Sequence, residues 1–297
     1  MSAREYRDTL DGRLSSQTVK LVATPSEYDE LLPSARIITG FEIDAEAVDR
    51  AANLEMFACT FAGTDHLPLS AFEANDVQVT NASGVHGPNA AEQALASVLS
   101  FARGLDHGWA QSQAGTWSHY QADELYGSTV TVVGMGSIGG AIIDRLAPFG
   151  VETIGVRNSP SKGGDADTVV GIEQLPEILP RTDYLVLACP LTEETTQLVD
   201  TAALERLPPD SVVVNIARGQ VVDTDALHAA LQTNELRGAA LDVTDPEPLP
   251  DDHPLWSHNN CLITPHNAGH TPRYWDRMAD IIAENVDRLE TDEPLRN

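Results

Sequence analysis

A glycine-rich turn between two apolar segments carries the clearest chemical information in this sequence. The turn Gly134–Gly139, with the sequence GMGSIG, follows the β-branched run Val130–Val133 and precedes Ala141–Leu146, whose apolar residues recur at helical spacing. A strand, a tight turn and a helix N-terminus in this order present bare backbone N–H groups and the positive end of the helix dipole to an anion. The pattern predicts a site for the pyrophosphate of a dinucleotide.

Each glycine of this turn has its own expected role. We expect Gly134 to make the turn, Gly136 to let the pyrophosphate approach the backbone, and Gly139 to let helix and strand pack closely. Ser137 and Ile138, at the helix start, belong to the same predicted cofactor site. Because glycines also mark ordinary turns, the prediction depends on the strand and the helix on either side.

The segment after the next predicted strand indicates which dinucleotide binds. The strand ends at Arg157, and Asn158, Ser159 and Lys162 follow. An NAD site normally places Asp or Glu here for the ribose hydroxyls. A carboxylate would repel a 2′-phosphate, whereas a guanidinium binds it through two hydrogen bonds. We therefore predict a preference for NADPH with NAD(H) tolerated; the alternative is that Arg157 stacks on adenine and discriminates little.

Three further segments place reactive side chains after predicted strands. Arg218 lies in the sequence NIARG, where a guanidinium could hold a carboxylate through two parallel hydrogen bonds. Glu247 lies in DPEP, where the flanking prolines predict a rigid extended loop that aims a carboxylate. His266 follows a proline just after a strand and could act as a general acid or base near neutral pH.

Each of these segments also has an ordinary structural explanation. Arg218 could cap the following helix, the acidic segment around Glu247 could form a turn, and a single histidine is more often structural. His266 and His270 have the spacing of a metal pair, but the intervening Gly269 and the lack of a third ligand argue against one. We expect no metal site.

Alternating strands and helices predict an α/β protein of two domains. In the N-terminal part, short apolar runs indicate βα units of a parallel sheet at 19–23, 36–39, 56–61 and 77–81. Farther along, the strand-like segments predict a Rossmann doubly wound sheet with its ligand crevice at the carboxyl ends of the strands: 130–133, 153–157, 184–188, 212–216, 238–243 and 261–264.

Two helices set the expected domain boundaries. Pro88 and Gly104 bracket a segment with a continuous apolar stripe, which predicts a long helix joining the domains. A last helix over 273–289 is expected to return to the first domain. We therefore expect a smaller, flavodoxin-like substrate domain made of residues 1–87 and 270–297, and a dinucleotide-binding domain made of residues 88–269.

The charge balance excludes several classes of partner. Forty-five acidic residues face 18 basic ones, a formal net charge of −27, and Lys20 and Lys162 are the only lysines. Nucleic acids and anionic membranes bind through Lys and Arg, so neither is an expected partner. Such a charge opposes compaction unless salt screens it, and at molar salt the Debye length is about 3 Å. We infer a salt-rich cytoplasm, as in a halophile; the alternative is an acidic protein from an ordinary cytoplasm.

Cysteine usage and hydropathy support an intracellular, reduced location. The three cysteines are far apart and form no CxxC pair, so neither a disulfide framework nor a zinc site is indicated. No apolar segment is long enough to span a bilayer, and the first residues do not resemble a signal region. We expect a cytoplasmic protein.

Taken together, the motifs resemble those of the D-isomer-specific 2-hydroxyacid dehydrogenases along almost the whole chain. The resemblance rests, in the order typical of that family, on GMGSIGG at 134–140, NIARGQVVD at 215–223, LDVTDPEPLP at 241–250 and TPHNAG at 264–269. The segments HPLW at 253–256 and TPHNAGHTP at 264–272 are most similar to its glyoxylate/hydroxypyruvate reductase-like branch.

This resemblance implies a role for each motif. Arg218, Glu247 and His266 would fill the catalytic positions, and Asp242 would face the nicotinamide carboxamide. Further cofactor contacts are implied at Cys189, Pro190, Ile216 and Ala217. Backbone N–H groups of the loops 62–64 and 83–85 would meet the substrate carboxylate, with Gly63, Gly84 and Val85 as the binding residues. Arg157 departs from the acidic residue usual in NAD-using members.

The implied function is the reversible reduction of a small 2-oxo acid to a D-2-hydroxy acid by hydride transfer from NAD(P)H, with the substrate lying between the domains. His266 would protonate the developing alkoxide, Arg218 would polarise the 2-oxo group, and Glu247 would orient the imidazole. The family also implies a homodimer joined through the cofactor domains. Two alternatives remain: a nucleotide-sensing, non-catalytic corepressor-like protein on the same fold, and oxidation of formate or phosphite.

Overall fold

The computed structural model describes residues 2–14, 17–64 and 66–297, and the chain forms two compact units. The first unit comprises Met1–Val85 and Thr271–Asn297, and the second comprises His86–His270. These boundaries lie close to those expected from the sequence. The predicted α/β class, with parallel sheets and a Rossmann arrangement in the larger unit, is confirmed.

The first unit is built on a three-stranded parallel sheet whose strands pair in chain order. The strands are β1 (Ile37–Gly40), β2 (Met56–Cys59) and β3 (Gln78–Thr80). The helices of this part are α1 (Ala3–Arg13), α2 (Pro25–Leu31), α3 (Ala45–Arg50) and α4 (Leu69–Ala74). Strand β2 is fully buried because its alternating side chains enter two cores, Phe57 and Cys59 on one face and Met56 and Ala58 on the other.

The apolar run at 19–23 forms no strand, contrary to the sequence expectation. Leu21 and Val22 are exposed, whereas Val19 packs against the core that contains Met56. The run instead leads directly into α2, which begins with a capping box: Glu27 N donates to Thr24 Oγ1 at 3.3 Å, and Thr24 N donates to Glu27 Oε2 at 3.0 Å.

The second unit contains a seven-stranded parallel sheet with helices on its faces. Its strands are β4 (Thr129–Val133), β5 (Glu152–Val156), β6 (Thr168–Val170), β7 (Tyr184–Leu187), β8 (Val212–Asn215), β9 (Gly238–Leu241) and β10 (Cys261–Ile263). Their order is β10-β9-β8-β7-β4-β5-β6. From β4 the chain builds outward first toward β6 and then, in the other direction, toward β10. The ligand crevice of such a sheet lies at the carboxyl ends of the strands, where the order reverses.

The helices of the second unit are α5 (Gly87–Ala102), α6 (Leu105–Gln113), α7 (Ser137–Leu146), α8 (Leu175–Ile178), α9 (Thr201–Leu204) and α10 (Thr224–Thr233). Helix α5 begins next to Pro88 and is followed by Gly104 in the left-handed region, as its sequence predicts. Its buried stripe of Ala90, Ala94 and Val98 packs in the core that also contains the buried side of α7.

The chain closes the first unit with α11 (Tyr274–Glu290). Met278, Ile281, Ile282 and Val286 recur at helical spacing and are buried with the Met56 face of β2. One strand of the second unit, β6, was not predicted from the sequence. It has three residues and lies at the sheet edge, so its apolar run is too short to stand out in the sequence.

Candidate active site

Three neighbouring strands deliver the predicted catalytic segments to one edge of the second unit. Strands β8, β9 and β10 are adjacent and parallel, so their carboxyl ends lie side by side. Arg218 follows β8, Asp242 follows β9 and His266 follows β10. The parallel topology therefore brings residues that are distant in sequence to the same edge of the sheet.

His266 and Glu247 form a direct hydrogen-bonded pair at this edge. His266 Nδ1 lies 2.6 Å from Glu247 Oε1, and the side chains are 49% and 40% exposed. The ionised carboxylate accepts from Nδ1–H, which leaves Nε2 as the ring nitrogen that can exchange a proton with a bound molecule. This is the arrangement of a general acid–base whose ring orientation is set by a carboxylate.

The backbone of His266 is held in an unusual conformation. Its φ is +53°, in the left-handed region that residues other than glycine rarely adopt. His266 N donates to the carbonyl oxygen of Asp242 at 2.8 Å and to that of Thr264 at 3.0 Å. A non-glycine residue persists in this region only where its surroundings determine the conformation strongly, and this is common at functional sites.

Those surroundings centre on the buried carboxylate of Asp242, which is 4% exposed. Oδ1 accepts from Thr264 Oγ1 at 2.5 Å and from Asn267 N at 2.9 Å, and Oδ2 accepts from Ala268 N at 2.8 Å. Asp242 thus fixes the loop on both sides of His266. Its predicted contact with the nicotinamide carboxamide remains a prediction.

Glu247 lies in a loop with two internal hydrogen bonds. The peptide bonds Asp245–Pro246 and Glu247–Pro248 are both cis, and the segment forms a series of bends rather than the extended loop expected. Thr244 Oγ1 donates to Pro246 O at 2.9 Å, and Thr244 N points to Glu247 Oε2 at 3.4 Å.

The turn that carries Arg218 packs directly against this loop. Asn215 holds the turn by donating to Arg218 O at 3.0 Å and accepting from Ala217 N at 3.0 Å. A Cβ added at Gly219 would lie 1.9 Å from Thr244 O, so only glycine fits there. Because of this close backbone approach, the exposed Arg218 and the Glu247 loop lie next to each other. Arg218 Nη1 donates to Ala217 O at 2.6 Å.

The glycine turn after β4 has the geometry of a close-packed strand–helix junction. Gly134 has φ +98°, and a Cβ there would lie 2.6 Å from the N and Cα atoms of Cys189. A Cβ at Gly139 would lie 1.8 Å from Gly134 O. Gly136, at the N-cap of α7, has open space where its Cβ would be. The N-terminus of α7 is therefore accessible to an anion.

The loop after β5 lies against this turn. Met135 packs where side chains of Gly155 and Gly164 would be, with its Sδ 2.4 Å from the Cβ position of Gly155. Arg157 Nη1 donates to Gly163 O at 2.5 Å, and Arg157 N donates to Val170 O at 3.0 Å. Asn158, Ser159 and Lys162 are exposed beside it.

The remaining predicted cofactor residues lie at the carboxyl ends of β7 and β8. Cys189, Ile216 and Ala217 are buried and Pro190 is exposed. Burial raises the pKa of the Cys189 thiol to about 11, so it is protonated at physiological pH and acts as an apolar contact rather than a nucleophile.

The predicted substrate loops belong to the first unit. Gly63 is exposed in the loop after β2, and Gly84 has φ +90°. Val85 is fully buried; its N–H donates to Ala82 O at 3.2 Å, and its carbonyl accepts from Arg277 Nη1 at 2.7 Å. Arg277, on α11, was not singled out from the sequence, since nothing in its local pattern distinguishes it from a surface arginine.

In residues 2–14, 17–64 and 66–297, no group of three or more His, Cys, Asp or Glu side chains could hold a metal ion. Over the same residues, none of the helices is both long enough and apolar enough to cross a bilayer.

Comparison with known proteins assigns the chain to a family. Residues 95–268 match the family described as D-isomer specific 2-hydroxyacid dehydrogenase, NAD binding domain. The human glyoxylate reductase/hydroxypyruvate reductase is 34% identical over 82% of this chain and 76% of its own length. The glyoxylate reductase of Thermofilum pendens is 33% identical over 88% of this chain and 81% of its own length. The chain belongs to the D-isomer-specific 2-hydroxyacid dehydrogenase family and is an oxidoreductase with an NAD(P)-binding Rossmann unit.

Solved structures show the same fold. A D-isomer specific 2-hydroxyacid dehydrogenase from Xanthobacter autotrophicus Py2, in complex with NADPH and MES, is 28% identical with a TM-score of 0.78 over 100% of this chain and 94% of that one. A probable 2-hydroxyacid dehydrogenase from Rhizobium etli, in complex with NADP, is 25% identical with a TM-score of 0.78 over the same shares.

Proposed function

We propose that the protein reduces 2-oxo acids to D-2-hydroxy acids, reversibly and with NADPH preferred over NADH. The observation that carries this proposal is the His266–Glu247 pair, held at 2.6 Å beside the Arg218 turn on one edge of the sheet. A guanidinium next to an oriented imidazole is what the reduction of a carbonyl next to a carboxylate requires.

The glycine turn fits a dinucleotide. A side chain at Gly134 or Gly139 would collide with backbone atoms, whereas the space at Gly136 and the N-terminus of α7 is open to a pyrophosphate. Gly134, Gly136, Ser137, Ile138 and Gly139 would hold it. When bound, the reduced nicotinamide supplies a hydride for C2 of the substrate.

The chain's own residues would manage charge and protons during that transfer. Arg218 would bind the 2-oxo oxygen and the carboxylate, and so stabilise the negative charge that develops on the oxygen. His266 would donate its Nε2 proton to that oxygen, while Glu247 keeps the ring oriented. In the reverse direction the neutral imidazole accepts the proton.

We assign the substrate carboxylate, by family resemblance, to backbone N–H groups near Gly63, Gly84 and Val85. Gly63 is exposed, and the positive φ of Gly84 suits a turn that only glycine adopts easily. The D configuration of the product is likewise inferred from the family.

Arg157 supports the NADPH preference. The position directly after β5 holds a guanidinium instead of the carboxylate that binds ribose hydroxyls, and Lys162 follows in the same loop. Asp167, the nearby acid, is engaged elsewhere: its carboxylate accepts from Thr153 N and Oγ1, both at 2.8 Å, and these bonds lower its pKa.

We further propose a homodimer joined through the second unit, in a salt-rich cytoplasm. Trp109, Trp117 and Tyr126 of this unit are 70%, 97% and 76% exposed, and large aromatic side chains are enriched at protein–protein interfaces. The net charge of −27 supports the salt requirement. Light scattering across a salt series would test both points.

The deciding experiment is an NAD(P)H oxidation assay at molar salt with glyoxylate, pyruvate, hydroxypyruvate and longer 2-oxo acids. Turnover with any of them, faster with NADPH than with NADH, is the expected result. Cofactor binding without turnover would favour a nucleotide-sensing protein. Reduction of NAD(P)⁺ by formate or phosphite, with no turnover of any 2-oxo acid, would instead indicate a formate or phosphite dehydrogenase.

A further inference from the structure

Two amide side chains of α5 reach the loop that carries His266. Gln93 Nε2 donates to Thr264 Oγ1 at 3.2 Å, before the histidine, and Asn89 Nδ2 donates to Ala268 O at 2.5 Å, after it. Asn89 and Gln93 are one helical turn apart, so they lie on the same face of α5. Helix α5 thus holds the loop on both sides of His266.

The contact from Gln93 continues to the buried carboxylate beneath the loop. Thr264 Oγ1 lies 2.5 Å from Asp242 Oδ1. An ionised carboxylate only accepts, so the Thr264 proton points to Asp242 and the hydroxyl oxygen accepts from the Gln93 amide. The relay Gln93–Thr264–Asp242 therefore has one direction, and it ends on the group that also accepts the amide protons of Asn267 and Ala268.

This relay matters because the backbone conformation of His266 depends on the loop around it. His266 is half-exposed, and its φ of +53° is intrinsically unfavourable for a residue with a side chain. A loop free to relax from that conformation would move His266 Nε2 out of the position from which it donates its proton. A displacement of about 1 Å can cost a reaction on the order of 100-fold.

We propose that Gln93 and Asn89 are positioning residues: through Thr264 and Ala268 they hold the loop so that His266 stays in its reactive orientation. This inference rests on the proposed role of His266 as the proton donor. Neither amide is expected to touch the substrate, so their effect is on turnover rather than on binding.

The first test replaces Gln93 by methionine, which keeps the length of the side chain and removes the donor. We expect kcat to fall about tenfold with KM for the 2-oxo acid and for NADPH within about twofold. The matched control is Glu92→Met, at the neighbouring exposed position of the same helix, which should keep kcat. A kcat for Gln93→Met within twofold of the wild type would overturn the proposal.

The second test follows the relay itself. Thr264→Val removes the hydroxyl at constant shape and should lower kcat as Gln93→Met does, whereas Thr264→Ser keeps the hydroxyl and should restore it. The double variant Gln93→Met/Thr264→Val should be no slower than either single one, because both break the same chain. If the double variant lost kcat by the product of the two single losses, the residues would act independently and contribute to general stability instead. A Thr264→Ser variant as slow as Thr264→Val would lead to the same conclusion.

Hydrogen exchange of the loop gives a readout that needs no turnover. The amides of His266, Asn267 and Ala268 donate to Asp242, so they should exchange faster in Gln93→Met while α10 and β9 keep their protection. Unchanged exchange of these amides would refute the proposed role of Gln93 in holding the loop, even if the enzyme is active. A wild-type protein that reduces no 2-oxo acid would instead refute the proposed function, and the exchange rates would still decide whether α5 holds the loop.

Discussion

Replacing Glu247 by glutamine tests the electrostatics of the site with little change in shape. Glu247 Oε1 lies 2.6 Å from His266 Nδ1, and the amide oxygen of glutamine can accept the same hydrogen bond. The variant therefore keeps the ring oriented and removes one negative charge. In the proposed mechanism His266 gives a proton to the substrate oxygen, so the charge removed is the one in direct contact with the proton donor.

The size of the effect follows from Coulomb's law. Two unit charges about 4 Å apart attract by about 1 kcal/mol in water and by about 4 kcal/mol at an effective dielectric constant of about 20. The His266 and Glu247 side chains are 49% and 40% exposed, which places the interaction near the lower end, at about 1–2 kcal/mol. Since about 1.4 kcal/mol is a factor of ten in rate, kcat for reduction should fall about 5–30-fold near neutral pH.

The assay is steady-state oxidation of NADPH at saturating 2-oxo acid and molar salt. Asp245→Asn is the matched control: it makes the same change of charge in the same loop, at an exposed side chain. At molar salt the Debye length is about 3 Å, so a direct contact retains its effect while more distant charges are screened. Equal losses in both variants, or a Glu247→Gln enzyme within twofold of the wild type, would refute the reasoning.

Three further changes test the other parts of the site. His266→Ala should lower kcat by on the order of 10²–10⁴ because the proton donor is lost, and near-normal turnover would remove His266 from the mechanism. Arg157→Asp should reverse the ratio of kcat/KM for NADPH to that for NADH, since a carboxylate repels the 2′-phosphate; an unchanged ratio would dismiss the cofactor argument. Gly134→Ala should abolish cofactor binding, measured by NADPH fluorescence, because the new Cβ would lie 2.6 Å from Cys189 atoms, whereas Gly140→Ala meets no atom within 4 Å and should bind normally.

Much of the fold could be predicted because its signals are local. Buried parallel strands appear as continuous apolar runs, and the turn at Gly134–Gly139 and the boundaries of α5 follow from glycine and proline chemistry. The two errors in strand assignment both concern pairing, which is not a local property. The run at 19–23 is apolar but has no partner strand, and β6, only three residues long, is a strand because it pairs with β5.

The sequence also predicts Arg218, Glu247 and His266 as catalytic candidates, since each is a reactive residue placed just after a strand or between prolines and the family resemblance implies the same roles. The sequence does not show how far apart these three side chains lie in the folded chain. The pairing of β8, β9 and β10 and the fit of Gly219 against Thr244 bring the three segments together, and both depend on backbone contacts between segments far apart in the chain.

Only the tertiary structure shows how His266 is held. Gln93 is an ordinary glutamine on a helix and Thr264 an ordinary threonine after a strand, and neither local pattern marks them as partners. Their contact exists because α5 packs against the sheet in a particular register, which is decided by the whole buried core and not by neighbouring residues. Residue types determined which chemistry was available, and packing determined which side chains support it.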